Sequence, residues 1–139
     1  MSHYAYSVAA VSWTPGSHLR IYASDGSKVT EKCWDGSWYV GALAVDGQTV
    51  GATSWVDGTG QIHIRAYVSN LGKITEQCWD KDHWYVGALS ADGESASATS
   101  WQDGGTLRIR VYVRQYNGQV QEHCWDGAGP WYIGAYPGA

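Results

Sequence analysis

One stretch of this sequence occurs three times, at intervals of about 45 residues. The copies read VTEKCWDGSWYVGAL from residue 29, ITEQCWDKDHWYVGAL from residue 74 and VQEHCWDGAGPWYIGAY from residue 120. Each copy keeps a glutamate, a cysteine two residues later, a Trp-Asp pair, a second tryptophan and Tyr-x-Gly-Ala. A repeat of this length predicts an array of similar supersecondary units that pack against their neighbours.

Each repeat predicts four short β-strands and no helix of useful length. In the first repeat we expect strands at residues 7–13, 18–22, 28–34 and 38–43, joined by turns rich in Pro, Gly, Ser and Asp. The repeats run over about 7–45, 50–91 and 95–136 within one domain of 1–139. Four strands in about 45 residues are typical of a β-propeller blade. A barrel of three units, as in trefoil folds, is the alternative.

Three blades in one chain leave an open blade face at each end, whereas propellers usually close with about four to eight blades. We therefore predict an all-β fold, a β-propeller with three four-stranded blades per chain. A homodimer would complete a six-bladed ring. A trimer would contain nine blades, which lies outside the usual range.

Composition and charge argue against several classes of partner. The net charge is −4 and no basic cluster occurs, so nucleic acid and anionic bilayers are poor partners. The apolar runs are too short to span a bilayer, and the N-terminus shows no signal-peptide pattern. We expect a soluble chain, and its localisation stays open.

The cysteines and histidines do not indicate a metal or a cofactor. Cys33, Cys78 and Cys124 occupy one position of the repeat, so we expect them to be reduced and buried in strands. The histidines share no single motif position and are expected on the surface or in strands. They are His3, His18, His63, His83 and His123.

Strand alternation indicates where a binding site would lie. Glu76 and Cys78 share one face of their strand and Trp79 points to the other, so the glutamate face of one blade meets the tryptophan face of the next. An arginine also recurs once per repeat. Arginine and glutamate there would form a buried ion pair that fixes the blades. Alternatively, they would bind the hydroxyls of a sugar whose apolar face packs on the indoles.

The combined motif of Arg-x-Tyr, Glu-x-Cys-Trp-Asp and Trp-Tyr-x-Gly-Ala resembles the repeat of the six-bladed fucose-binding lectins, the Aleuria aurantia lectin family. The resemblance covers essentially the whole chain. It implies a multivalent lectin that binds L-fucose and fucosylated oligosaccharides on glycan-coated surfaces, without catalysis and without a cofactor.

The resemblance also implies which residues bind fucose. In each cleft an arginine, a glutamate and an alanine backbone N–H of one blade would meet two tryptophans of the next blade. The implied sets are Arg20, Glu31, Ala42, Trp79 and Trp84 for the first cleft; Arg65, Glu76, Ala88, Trp125 and Trp131 for the second; and Arg110, Glu122 and Ala135 with the partner's Trp34 and Trp38 for the third.

Two other functions are compatible with a propeller. A glycoside hydrolase or sialidase usually has two carboxyl groups flanking one bond, at one specialised site. This chain has three equivalent sites, which favours avidity. A protein-binding scaffold would not be expected to repeat the same ligand positions in every blade. Asp35, Asp80 and Asp126 follow the tryptophan of each motif, and we expect them to cap turns.

Overall fold

A computed structural model describes residues 4–138, in which twelve β-strands form three four-stranded sheets. No helix occurs in this part of the chain. The strands are β1 (Ser7–Trp13), β2 (His18–Ser24), β3 (Lys28–Trp34), β4 (Trp38–Asp46), β5 (Thr49–Val56), β6 (Ile62–Asn70), β7 (Lys73–Trp79), β8 (Trp84–Asp92), β9 (Ser95–Asp103), β10 (Thr106–Arg114), β11 (Val120–Trp125) and β12 (Tyr132–Ile133).

Each sheet is an antiparallel meander, and we call the sheets blades 1, 2 and 3 in chain order. Residues that alternate between polar and apolar favour strands with one exposed and one buried face. In Lys28–Trp34, exposed and buried residues alternate along nearly the whole strand. Strand β5 packs between β1 and β9, so the first strand of each blade lies on the inner side. The fourth strands, β4, β8 and β12, form the outer edges.

The hydrophobic core lies between the blades, because a single sheet cannot bury both of its faces. One cluster joins blades 1 and 2, and it consists of Val11, Tyr22, Val29, Leu43, Val50, Ile64, Ala66 and Val68. A second cluster joins blades 2 and 3, and it consists of Tyr67, Ile74, Leu89, Ile109, Val111 and Val113. Separate sheets that pack face to face contradict the trefoil alternative.

The two faces of a blade differ, and each is named after its recurring residue. Cross-strand pairing places Arg20 opposite Cys33 and Tyr22 opposite Glu31, which puts all four on the arginine face of blade 1. The tryptophan face is the opposite one. The arginine faces of blades 1 and 2 pack against the tryptophan faces of blades 2 and 3, respectively.

Among residues 4–138, no blade covers the tryptophan face of blade 1 or the arginine face of blade 3. Val8, on the first of these faces, is 62% exposed, whereas its repeat equivalent Val50 is 5% exposed. Glu122, on the second, is half-buried, whereas Glu31 and Glu76 are buried. These open ends are the ones that the three-blade count predicts.

The prediction of an all-β chain built from four-stranded units is confirmed. Cys33, Cys78 and Cys124 are free and buried, as expected. The prediction for His3 falls outside the described residues. In residues 4–138 nothing forms a helix with the length and apolarity that a membrane crossing requires.

Candidate functional site

Two clefts lie between neighbouring blades: cleft 1, between blades 1 and 2, has a volume of about 290 Å³, and cleft 2, between blades 2 and 3, about 160 Å³. Cleft 1 is lined by Trp13, Arg20, Glu31, Cys33, Tyr39, Val40, Gly41, Ala42, Ile64 and Trp79. Cleft 2 is lined by Arg65, Glu76, Cys78, Tyr85, Gly87, Ala88, Ile109, Trp125 and Trp131. The arginine face of one blade and the tryptophan face of the next thus form opposite walls.

The clefts bring together most of the residues expected there. All five residues of the second set line cleft 2, and four of the five residues of the first set line cleft 1. The fifth, Trp84, packs edge-on against Tyr22, with 5.9 Å between the ring centroids. The indole Nε1–H of Trp84 is buried and has no hydrogen-bond partner among the described residues.

The glutamate of each complete cleft lies opposite an irregularity in the neighbouring strand. The register between β3 and β4 shifts at Glu31, and the register between β7 and β8 shifts at Glu76. Residues 41–43 of β4 and 87–89 of β8 each lie opposite a single glutamate, so the bulge belongs to the fourth strand of the blade. Gly41 and Gly87 lie over these carboxylates, and a Cβ at either position would overlap the glutamate oxygens. Glycine therefore keeps the space next to each carboxylate open.

A buried tyrosine holds each glutamate in place. The hydroxyl of Tyr22 donates a 2.8 Å hydrogen bond to Oε2 of Glu31, and Tyr67 donates one of the same length to Glu76. Burial and the neighbouring carboxylate raise the pKa of Tyr22 well above its usual range, so the hydroxyl keeps its proton. Oε1 of Glu31 accepts a longer bond, of 3.4 Å, from the backbone N–H of Leu43.

An aspartate, not the glutamate, is the ionic partner of each arginine. Nη1 of Arg65 donates to Oδ1 of Asp80 at 2.8 Å and to the carbonyl of Ile64 at 3.0 Å. Nη1 of Arg20 donates to Asp35 at 3.0 Å in the same way. The alternative of an arginine–glutamate ion pair is therefore wrong, because the arginine pairs with an aspartate and the glutamate accepts its hydrogen bond from a tyrosine.

The expected turn-capping role of the three aspartates is likewise wrong. Asp35, Asp80 and Asp126 bind the arginine of their own blade and also accept a hydrogen bond from Tyr39, Tyr85 and Tyr132, respectively. The bend that follows the strand directs each carboxylate back over its sheet. Sequence periodicity does not indicate the geometry of such a bend.

The carboxylate pKa values reflect these contacts. Burial alone would raise the pKa of Asp80, but hydrogen bonds from Arg65, Tyr85 and His63 outweigh it and lower the pKa to about 2. The hydrogen bond from Arg20 likewise holds the pKa of Asp35 well below its usual range. These aspartates are ionised at neutral pH, so they are unsuited to the general-acid role that glycoside hydrolysis requires.

In blades 1 and 2, the arginine also lies over a tryptophan ring, and a histidine hydrogen-bonds to its aspartate partner. The guanidinium carbon of Arg65 lies 4.9 Å from the ring centroid of Trp55, and that of Arg20 lies 4.7 Å from Trp13. His63 stacks on Trp55 and bonds Asp80 at 2.6 Å. Trp13 and Trp55 therefore position the arginine of their own blade, and Trp13 also lines cleft 1.

The third set of residues is divided between the two ends of the chain. Arg110, bound to Asp126 at 2.9 Å, lies on the open arginine face of blade 3 with Glu122 and exposed Ala135. Trp34 and Trp38 belong to the open tryptophan face of blade 1, where Trp38 is 55% exposed. A single chain does not bring these residues together.

The residues that the sequence interpretation missed are the two tyrosines of each blade. The first follows Arg-x and the second follows the second tryptophan of the motif, and both recur in all three repeats. That recurrence was the available signal. The backbone N–H directed at the glutamate belongs to Leu43, Leu89 and Tyr136, one residue beyond the expected alanines.

The clefts show no sign of metal chemistry. Within residues 4–138, no group of three His, Cys, Asp or Glu side chains is arranged to hold a metal ion. Burial raises the pKa of the Cys78 thiol to about 12, so this cysteine of cleft 2 stays protonated and unreactive.

Comparisons with known proteins agree with this geometry. A family profile described as a fungal fucose-specific lectin matches residues 3–92. A fucose lectin from Kordia zhangzhouensis, solved in complex with methyl-fucoside, is 45% identical over 93% of this chain and 98% of its own, with a TM-score of 0.80. A search of curated proteins found no match.

Two longer proteins are also similar. The Aleuria aurantia lectin, described as a six-bladed β-propeller, is 32% identical with a TM-score of 0.71 over 93% of this chain and 44% of its own. A protein from Arthrobotrys oligospora, 19% identical, shares the fold with a TM-score of 0.73 over 94% of this chain and 42% of its own. This chain thus spans less than half of each.

The three blades and the six-bladed relatives define this chain as half of a β-propeller, which confirms the predicted blade architecture. The chain belongs to the fungal fucose-specific lectin family. Members of this family are lectins, so the prediction of a carbohydrate-binding protein without catalytic activity is confirmed.

Proposed function

We propose that this lectin binds L-fucose and fucosylated glycans in the clefts between its blades, one fucose in each. The observation that carries the proposal is the repetition of one polar and aromatic constellation in clefts 1 and 2. The related Kordia zhangzhouensis lectin, solved with methyl-fucoside, supports the class of ligand. Several equivalent sites on one molecule suit a glycan-coated surface, where linked weak sites gain avidity.

The chemistry of cleft 2 fits a sugar. Arg65 carries five N–H donors, and Asp80 holds its guanidinium in one orientation. Glu76 supplies acceptors, and its position is set by Tyr67. A pyranose hydroxyl both donates and accepts, so adjacent hydroxyls can bond to both side chains. The indole of Trp125 supplies the apolar wall on which C–H groups pack.

Calorimetric titration with methyl α-L-fucoside tests the assignment of cleft 2. In Arg65→Ala we expect one of about three sites per chain to be lost, because the fixed donors of cleft 2 disappear. Lys73→Ala is the matched control, since Lys73 is an exposed cation that pairs with Asp92 and lines neither cleft. Unchanged stoichiometry and affinity in Arg65→Ala would show that this arginine does not bind the sugar.

We further propose that two chains close a six-bladed ring. In support, the arginine face of blade 3 carries Arg110 and Glu122 without a facing tryptophan wall, and blade 1 carries Trp34 and Trp38 without a facing arginine wall. The same two kinds of face already pack together twice within the chain. Two such contacts between two copies form a closed, twofold-symmetric ring. Each contact would complete a third cleft.

Light scattering combined with the same titration tests the dimer. Val8→Glu places a carboxylate where the repeat equivalent Val50 is buried, and burying an unpaired charge is strongly unfavourable. We expect a monomer that binds about two fucosides per chain, instead of a dimer that binds about three. Leu71→Glu, at an exposed turn, is the control and should remain dimeric. A wild-type chain that is monomeric, or a Val8→Glu dimer with three sites per chain, would refute the ring.

A further inference from the structure

A second cavity, of about 380 Å³, opens on blade 3 next to cleft 2. It is lined by Gln102, Gly105, Thr106, Leu107, Trp125, Asp126, Gly127 and Ala128. Trp125 also lines cleft 2, so one indole forms a wall of both spaces. None of the other seven residues belongs to the sets expected to bind fucose.

Strand geometry places this cavity along the same wall as cleft 2. Ile109, which lines cleft 2, pairs with Trp125 on the neighbouring strand. Leu107 lies two residues before Ile109 on β10 and pairs with Gln102. Residues two apart on a strand share a face and are separated by about 7 Å. The cavity is therefore the outward continuation of the cleft, one row of side chains further from the expected fucose.

The cavity has a lining whose loop is held in place and which carries both polar and apolar groups. Gly127 has a φ of +89°, and its backbone approaches Thr106 and Leu107 closely enough that a Cβ would lie 3.2 Å from a Thr106 methyl carbon. The indole Nε1–H of Trp125 donates a 3.1 Å hydrogen bond to the carbonyl of Gly129. The loop therefore fixes the indole. Gln102 and Thr106 offer an amide and a hydroxyl, while Leu107 and the indole offer apolar surface.

Two successive rows of side chains are compared between the repeats: an inner row at the cleft and an outer row at the cavity. The inner row is similar in all three repeats, whereas the outer row differs. The inner row pairs an aliphatic residue with the motif tryptophan in every blade: Leu19 with Trp34, Ile64 with Trp79 and Ile109 with Trp125.

The outer row changes its chemistry from one blade to the next. It is Gln102 with Leu107 in blade 3, but Val56 with Ile62 in blade 2. In blade 1 Thr14 and Ser17 line the corresponding cavity beside Trp34, which has a volume of about 580 Å³. The outer row is thus amide and aliphatic, wholly aliphatic, or hydroxyl-bearing, depending on the blade.

We propose that the cavity around Gln102 and Thr106 is a subsite for the sugar to which a fucose in cleft 2 is attached, and that the different outer rows give the three clefts different preferences for this second sugar. The inference rests on the proposed fucose binding. The second sugar is a hexose or hexosamine, because the lining combines hydrogen-bonding groups with apolar surface as such a ring does. The aliphatic row of blade 2 offers cleft 1 packing without side-chain hydrogen bonds.

Calorimetry on a chain with a single intact cleft tests the subsite. Arg20→Ala and Val8→Glu together leave cleft 2, and in this background Gln102→Ala is compared with Gln119→Ala, an exposed glutamine in the turn between β10 and β11. The probes are methyl α-L-fucoside and two fucosyl disaccharides, with N-acetylglucosamine or galactose as the second sugar.

We expect at least one disaccharide to bind more tightly than methyl α-L-fucoside. Gln102→Ala should reduce that disaccharide's affinity about three- to tenfold, the effect of one hydrogen bond, and leave the methyl-fucoside affinity unchanged. Gln119→Ala should change neither affinity. Disaccharide affinities that Gln102→Ala leaves unchanged would overturn the subsite alone. Failure of the wild-type protein to bind methyl α-L-fucoside would overturn fucose binding itself, and the subsite with it.

Discussion

The substitution Asp80→Asn tests whether the carboxylate of Asp80 holds Arg65 in position in cleft 2. The substitution keeps the shape of the side chain but removes the anion that orients Arg65. Contacts with Arg65, Tyr85 and His63 outweigh burial and lower the pKa of Asp80 from 3.8 to about 2. A difference of about 1.8 in pKa corresponds to about 2.4 kcal/mol. The side chain is 31% exposed, so solvent screening reduces the expected contribution to about 1 kcal/mol.

The sign of the pH dependence follows from the lowered pKa. Because the folded pKa lies below the unfolded pKa, the stabilisation is fully present above about pH 4 and is lost as the pH falls through about 2. Asp80→Asn should therefore lower the free energy of unfolding by about 1 kcal/mol at pH 7. The difference from the wild type should shrink towards zero near pH 2.

Urea unfolding at fixed protein concentration, at pH 7 and at about pH 2.5, measures this difference. Titration with methyl α-L-fucoside should show in parallel that cleft 2 weakens about three- to tenfold, because Arg65 loses its ionic orientation. Asp82→Asn makes the same charge change two residues away, at a carboxylate that is exposed and paired with His83. If Asp80→Asn and Asp82→Asn behave alike in both assays, the role assigned to Asp80 is refuted.

Two further substitutions test the support of Glu76. Tyr67→Phe removes the 2.8 Å hydrogen bond to this buried carboxylate and should lower the free energy of unfolding by about 1.5–3 kcal/mol, measured in urea; a loss below about 0.5 kcal/mol would contradict that role. Gly87→Ala places a Cβ against Glu76 and Cys78, so we expect about 1–3 kcal/mol of destabilisation and weaker fucoside binding. Gly58→Ala, where a Cβ meets no atom within 4 Å, should leave both unchanged.

Strand alternation in the sequence was sufficient to predict the two walls of each cleft. Glu76 and Cys78 lie on one face and Trp79 on the other because side chains alternate along any strand, whatever surrounds it. The repeat length was likewise sufficient to predict four strands per blade. Both are local properties, which each copy of the motif carries in the same form.

The contacts that hold the charged side chains in place could not be predicted from strand alternation. Asp80 reaches Arg65 because the bend after β7 brings it back over the sheet, and Gly87 lies against Glu76 because the pairing of β8 is irregular there. A residue pattern records the faces of an ideal strand, but it does not record where the strand departs from that ideal. The interpretation of the aspartates as turn caps was wrong for this reason.

By itself, the sequence determined the repeat, the blade architecture, the family and the residue types that line each cleft, because these depend on spacing and alternation within one copy of the motif. Only the tertiary structure decided how the charged side chains of each cleft are held. It pairs Arg65 with Asp80 and Glu76 with Tyr67. These contacts depend on bends and on the exact approach of neighbouring strands, which the spacing of residue types within a repeat does not specify.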